Sequence, residues 1–244
     1  MNAALQRTFA HQQGVAATLS ADPFEAFSPA GSPLDAAAAG KAVGRYLDGA
    51  DQTAAVIAAD RGLVRAARDQ LDPDAFATAP FRSELERQQR RADHALQALE
   101  AADRELEVGR REAGFLRALV DFLGDLEAMN RLAIAKDGDR ALALYPELEQ
   151  KLLRADAAAH DSELPPQLRE LTANLTRLLQ DVKGALQAAR ARDAAAADRF
   201  SAAAAADLKA VSTFDARAAN DFRRRLVQPL EDAYNSNLEQ ARAG

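Results

Sequence analysis

The sequence predicts an all-α fold: an elongated antiparallel helical bundle with coiled-coil character, made of five main helices and a short N-terminal one. Three observations carry this expectation. Of 244 residues, 60 are Ala, the strongest helix former, whereas Val and Ile together number only 11, too few for a sheet protein. The nine prolines leave spans 34–72, 81–145 and 167–228 free of proline, and a helix interior tolerates proline only at a cost of about 3 kcal/mol. Apolar residues recur every seven positions over several turns within those spans, the pattern of helices that pack along a seam.

The elements follow in order. Residues 3–19 read as a short amphipathic helix with Leu5, Phe9, Ala16 and Leu19 on one side. Residues 20–32 read as an irregular linker whose Phe24 and Phe27 are expected to dock onto the body. The first main helix, 33–71, opens at Ser32-Pro33-Leu34-Asp35, a capping residue followed by Pro at the first helical position. Its seam is Val43, Ala50, Ile57, Val64 and Leu71, with Leu47 and Ala54 four residues on from the first two. The second helix, 83–136, opens at the capping box Ser83-Glu84-Leu85-Glu86. Leu85, Ala92, Leu99, Leu106, Ala113 and Val120 repeat by sevens, joined by Ala95, Ala102, Gly109, Leu116 and Leu123. Gly109, Gly114 and Gly124 weaken this helix, and a bend or break is expected near 109–114.

Asp137-Gly138-Asp139 reads as a glycine stop followed by a fresh Asp cap, starting a third helix over 139–160. The stretch Lys136–Pro146 resembles the turn and second helix of a tetratricopeptide unit. It has no companion at the family's spacing and is read as a generic helical hairpin. Leu164-Pro165-Pro166-Gln167 breaks and restarts the chain into a fourth helix, 166–211. That helix carries Leu168, Leu175, Val182 and Ala189, with Leu171, Leu178 and Ala185 beside them. Its end is two Ala runs, 194–197 and 202–206, where the heavy seam fades. Ser212-Thr213-Phe214-Asp215 offers the cap of a fifth helix, 213–241, with a kink expected at Pro229. The domain reading is a helix and linker over 1–32 and one helical bundle over 33–244.

Composition narrows the function. There is no Cys, which removes disulfide frameworks and Cys-ligated zinc. The formal net charge is −6, and opposite charges are interleaved: residues 82–136 hold 10 basic and 11 acidic side chains, a solvated helix face more than a phosphate-binding stripe. The most acidic stretch, 137–163, has 3 basic and 7 acidic residues and reads as a polar connection between helices. No stretch of 18 apolar residues occurs. The opening residues Met1–Arg7 lack the apolar run of an export signal, which favours the cytoplasm over a periplasmic chain whose signal has been cleaved. Arg outnumbers Lys 26 to 5, a bias of GC-rich bacterial genomes.

Residues capable of chemistry are few. His11, His94 and His160 form no His pair at helical spacing and no Glu-x-x-His, so the di-iron bundle signature is missing. Asp156 and His160 share a face at i, i+4 and read as an ion pair near a helix end. The serines cluster at caps and linkers, there is no nucleophile elbow, and Gly40, Gly44 and Gly49 have helical rather than phosphate-loop spacing. No metal, cofactor or catalytic residue is expected.

What remains are surfaces. Phe222, Leu226, Leu230, Tyr234 and Leu238 form an apolar stripe; Phe222, Leu226, Tyr234 and Asn235 are the candidate partner or ligand surface. Arg223, Arg224 and Arg225 are the candidate anion contact. The expected function is that of a non-catalytic interaction or scaffold protein of bacterial origin, binding another protein or its own copy through helix faces. One alternative is an extracytoplasmic ligand-binding or sensor domain with a pocket lined by Tyr46, Tyr145 or Tyr234. The other is a curved bundle on a membrane surface, against which the interleaved charge argues. Nucleic acid is not expected as a partner.

Overall fold

In the computed structural model, residues 1–21, 36–71, 79–212, 214 and 216–243 are described. The chain is an all-α helical bundle, with no strand among the described residues. The helices are α1 (Asn2–Leu19), α2 (Ala36–Asp69), α3 (Ala79–Ile134), α4 (Gly138–Ala143), α5 (Tyr145–Ala159), α6 (Gln167–Arg190), α7 (Ala194–Ser212) and α8 (Ala216–Ala243). The expected cap at Ser32–Asp35, the docking of Phe24 and Phe27, and Thr213 and Asp215 of the expected capping box lie outside the described residues.

The chain divides into two compact units. The first comprises Met1–Asp22, Arg45–Arg110 and Arg224–Gly244. Its core joins Ala50 and Ile57 of α2, Leu99, Ala102 and Leu106 of α3, Val15 and Leu19 of α1, and Tyr234 and Leu238 of α8. Most of the heptad seam positions sit where the sequence places them; Leu71 and Leu85 are only half-buried, and in the second unit Ala189 is exposed while Ala188 is buried. Ile57 and Leu106 are essentially fully buried, each contributing about 1.5–3 kcal/mol by removal of apolar area from water. The small seam members contribute less area and let helix axes approach. Gly109 shows why: a Cβ there would overlap the Tyr46 Oη, so the glycine makes room for that ring, and α3 runs on without the expected break at 109–114.

Helix α1 seals this unit with a face one step from the expected one. Leu5, Thr8, Val15 and Leu19 are buried, while Phe9 and Ala16 are only half-buried. Thr8 tolerates burial because its hydroxyl donates to the Ala4 carbonyl. Polar contacts fix the register of α1 on α2. Thr18 and Thr53 hydroxyls lie 2.8 Å apart. Asp60, 2% exposed, takes the His11 ring nitrogen at 2.8 Å and the Arg7 guanidinium at 3.4 Å.

The second unit comprises Pro23–Gly44 and Arg111–Arg223. Its buried residues include Phe115, Phe122 and Met129 of α3, Leu148 and Leu152 of α5, and Leu168 and Leu175 of α6. Two expected helices are each split here. Residues 139–160 become α4 and α5, broken at Leu144, because Pro146 has no N–H to continue the ladder and its fixed φ suits a first turn. Residues 166–211 become α6 and α7. Arg192 adopts a left-handed φ of 60°, its N–H bonds to the Ala189 carbonyl, and the Asp193 N–H reaches Ala188. That is the double bond of a Schellman end, and the Asp193 carboxylate then accepts from the Ala196 N–H to cap α7.

The turn after α3 repeats this device with Lys136 at φ 60°. Asp137, not Asp139, is the cap, accepting from the Arg140 N–H. At the other end, α3 starts at Ala79, so Ser83–Glu86 lies inside the helix and is not its cap. Pro80 sits in the first turn, where proline is tolerated. Helix α8 runs through Pro229.

Candidate functional site: an apolar groove in the second unit

The residues singled out for partner or ligand contact all lie on α8, with different exposures. Tyr234 is 3% exposed and part of the core, so it offers no surface; burial pushes its phenol up to about 12. Val227, also buried, supersedes Leu226, which is half-buried, because the true seam of α8 is Val227, Tyr234 and Ala241 at spacing seven. Asn235 is exposed.

The basic triplet is likewise divided. Arg223 Nε donates to Glu112 Oε2 at 2.9 Å, with Glu112 only 1% exposed. A guanidinium engaged by a buried carboxylate serves packing and is not offered to an anion. Arg224 and Arg225 are exposed. Of the three tyrosines, Tyr46 packs against the first unit's core and Tyr145 lies in the second unit under the Lys183 ammonium, 3.8 Å from the ring centroid. His160 and Asp156 stand 3.8 Å apart, while Asp156 also accepts from the Thr172 hydroxyl at 2.6 Å. Among the described residues, no group of three or more His, Asp or Glu side chains gathers as metal ligands, and no helix is long and apolar enough to cross a membrane.

A concave feature lies elsewhere, in the second unit. A groove of about 720 Å³ runs along the last turns of α3, whose Leu123, Leu126 and Met129 form one wall. Leu178 and Val182 of α6 and Leu208 of α7 also line it, together with Ala36. Met129 and Leu178 are buried, whereas Leu208 is 57% exposed. Glu127 and Asn130 supply polar groups.

The sequence explains why this space is open. Helix α7 is attached through α6, and none of its described residues is buried. Its sequence is dominated by Ala, including the Ala202–Ala206 run, and Leu208 is the α7 residue that lines the groove. The α7 backbone comes close to α6 because Gly184 lets the Phe200 ring lie against it.

Charged side chains on the same helices pair with one another. Asp181, in its protonated form, donates to the Asp207 carboxylate, and burial together with that neighbour holds the Asp181 carboxyl above the usual carboxylate range. Arg177 Nε approaches Asp207 Oδ1 at 3.6 Å. On the opposite wall, Glu127 is bridged by Arg131 at 3.0 Å. The heptad pattern places Leu123, Leu178 and Val182 on packing seams but does not show that their partner helix is too thin to cover them. A signal exists in the sequence: an Asp followed by an Ala run at 193–197 marks a new helix start, and a second Ala run follows at 202–206.

Comparison with known proteins finds no matching family model, no matching curated protein and no matching solved structure.

Proposed function

We propose that the chain is a non-catalytic helical interaction protein that binds another protein by receiving an amphipathic helix in the groove of the second unit. One observation carries the reading: an apolar channel of about 720 Å³ that the chain's own α7 leaves open. That volume is in the range of binding cavities, whose walls are mainly apolar with a few polar groups for orientation. The wall from Leu123 to Ala133 spans about 15 Å at the helical rise, three turns of a partner helix. Helix-in-groove recognition reads such a partner through apolar side chains at i, i+3 or i+4, and i+7. The scarcity of nucleophiles and the scattered histidines support a binding role over a catalytic one.

A photo-crosslinking amino acid at position 208, in the cells that make the chain, tests this. A crosslinked protein obtained at 208, lost on Val182→Arg and not obtained from position 63, also on an exposed leucine, supports the reading. The same products from both positions, or none from 208, overturn it.

A further inference from the structure

A smaller cleft opens on α3 and α5, inside the second unit, and shares no lining residue with the apolar groove. Its volume is about 200 Å³. Gly114, Arg117, Ala118 and Asp121 of α3 line it, with Lys151 and Arg154 of α5. The α3 members are spaced by three or four residues, so one face of that helix presents them. The volume falls below the range of about 300–1,000 Å³ that encloses larger ligands, and it suits one small polar group.

The three cations of the cleft differ in their commitments. Lys151 is engaged by Asp125 and, at 3.1 Å, by Glu147. Arg117 and Arg154 are exposed and make no hydrogen bond or ion pair with any described residue. Asp121 lines the same cleft and pairs with neither of them. Arginines nearby on α3 are used differently: Arg111 meets Asp161 and Glu163, and Arg131 meets Glu127. The cleft thus holds two guanidinium groups, from two helices, whose donors the chain leaves unused.

A guanidinium presents a planar fork of N–H donors that matches the oxygens of a phosphate, and it gives up water more readily than an ammonium. Two forks on different helices can take different oxygens of one tetrahedral group. Gly114 keeps the space clear, since a Cβ there would meet no atom within 4 Å. Several other helical glycines are equally open, so Gly114 supplies room and the arginines supply recognition.

We infer that this cleft binds the phosphate group of a small phosphate-bearing molecule, with Arg117 and Arg154 donating to its oxygens. Lys151 adds positive potential while its ammonium stays with Asp125 and Glu147. Asp121 opposes the anion and limits its affinity. The inference is independent of the helix-receptor reading of the groove.

The test uses the full chain labelled with ¹⁵N at glycine and titrated with inorganic phosphate at fixed pH and ionic strength. The Gly114→Ala variant assigns the Gly114 amide signal. That signal should shift saturably, while the amide of Gly62 in the first unit stays in place. Arg117→Gln with Arg154→Gln should weaken binding by about tenfold, the loss of charge-assisted hydrogen bonds. Asp121→Asn should strengthen it by about twofold, the scale of an exposed charge contact. Arg224→Gln with Arg225→Gln, exposed positions of the first unit, should leave it within about twofold. Circular dichroism of each variant establishes that it folds.

A Gly114 shift that does not saturate overturns the inference, as an adventitious ion only. An unchanged midpoint in the Arg117, Arg154 variant overturns it as well. Equal loss from the two arginine pairs assigns the binding to diffuse charge and overturns it too. Acetate that binds as tightly as phosphate makes the cleft a carboxylate site and overturns the assignment to phosphate.

Discussion

The Phe200 ring of α7 lies directly on the backbone of Gly184 in α6: a Cβ at 184 would stand 2.7 Å from Cδ1 and Cε1 of the ring. The glycine is what lets an Ala-rich helix of little buried area stay attached. In an exposed helix interior, Gly→Ala ordinarily gains about 1 kcal/mol in helix propensity. Here the new methyl must displace the ring, so Gly184→Ala is expected to show none of that gain. In a Phe200→Ala background the same change should stabilise by about 1 kcal/mol. A double-mutant cycle by urea denaturation checks this; identical effects in both backgrounds would mean that the ring does not rest on Gly184.

The Arg223–Glu112 pair is a buried polar link inside the second unit. Glu112 is 1% exposed and Arg223 Nε donates to it at 2.9 Å. Removing one partner of a buried pair typically costs about 3–5 kcal/mol, whereas replacing both with apolar groups of similar size is often near neutral. Arg223→Ala should therefore lower the thermal midpoint sharply, and Glu112→Leu with Arg223→Met should recover most of the loss. Arg224→Ala and Arg225→Ala, on exposed positions, should each stay within about 0.5 kcal/mol.

Gly109 holds a tighter fit. A methyl group at this position would overlap the Tyr46 Oη and stand 3.0 Å from Cζ. Gly109→Ala should therefore destabilise by about 1–3 kcal/mol through overpacking, despite its better helix propensity. Tyr46→Phe removes the nearer of the two contacts and should restore part of the loss. Thermal unfolding of the single and double variants decides it; an unchanged midpoint for Gly109→Ala would show that α2 and α3 are not this close.

Asp181 gives the chain a specific pH dependence. Its carboxyl is held high by burial first, then by the hydrogen bond and charge of Asp207. The folded chain therefore keeps this proton at a pH where the unfolded chain has lost it. The contribution to stability is present below the ordinary carboxylate value of 3.8 and declines as pH rises through the raised folded value. Asp181→Asn should be more stable than the parent at neutral pH by up to about 0.5 kcal/mol, the scale of an exposed like-charge contact, and the difference should shrink toward pH 3. A constant difference across that range would contradict the shared proton.

The fold was legible where local propensity and periodicity agree. Val43, Ala50, Ile57 and Val64 are all buried, as are Ala92, Leu99, Leu106, Ala113 and Val120, because a heptad pattern fixes which face a long helix turns inward. The breaks were harder to read. Arg192 follows α6 in left-handed backbone without glycine, so the usual stop signal is missing there. Phe115 and Phe122 lie outside the seams because α3 in the second unit is buried on more than one side, which no single-stripe pattern describes. The groove was the least legible feature. A cavity is a mismatch of volumes between elements distant in sequence, here Leu123–Met129, Leu178–Val182 and the thin α7.

Met129 lies in the floor of the groove, and the chain has only two methionines. The most direct measurement is therefore a methyl NMR titration of the full chain labelled at the methionine methyls, with a synthetic amphipathic helix of about five turns and a leucine face as ligand. If the groove receives a helix, the Met129 methyl signal should shift saturably while that of Met1, in the other unit, stays in place. A Met129 signal that does not move while the peptide binds, or two methyls that move together, would contradict the central claim.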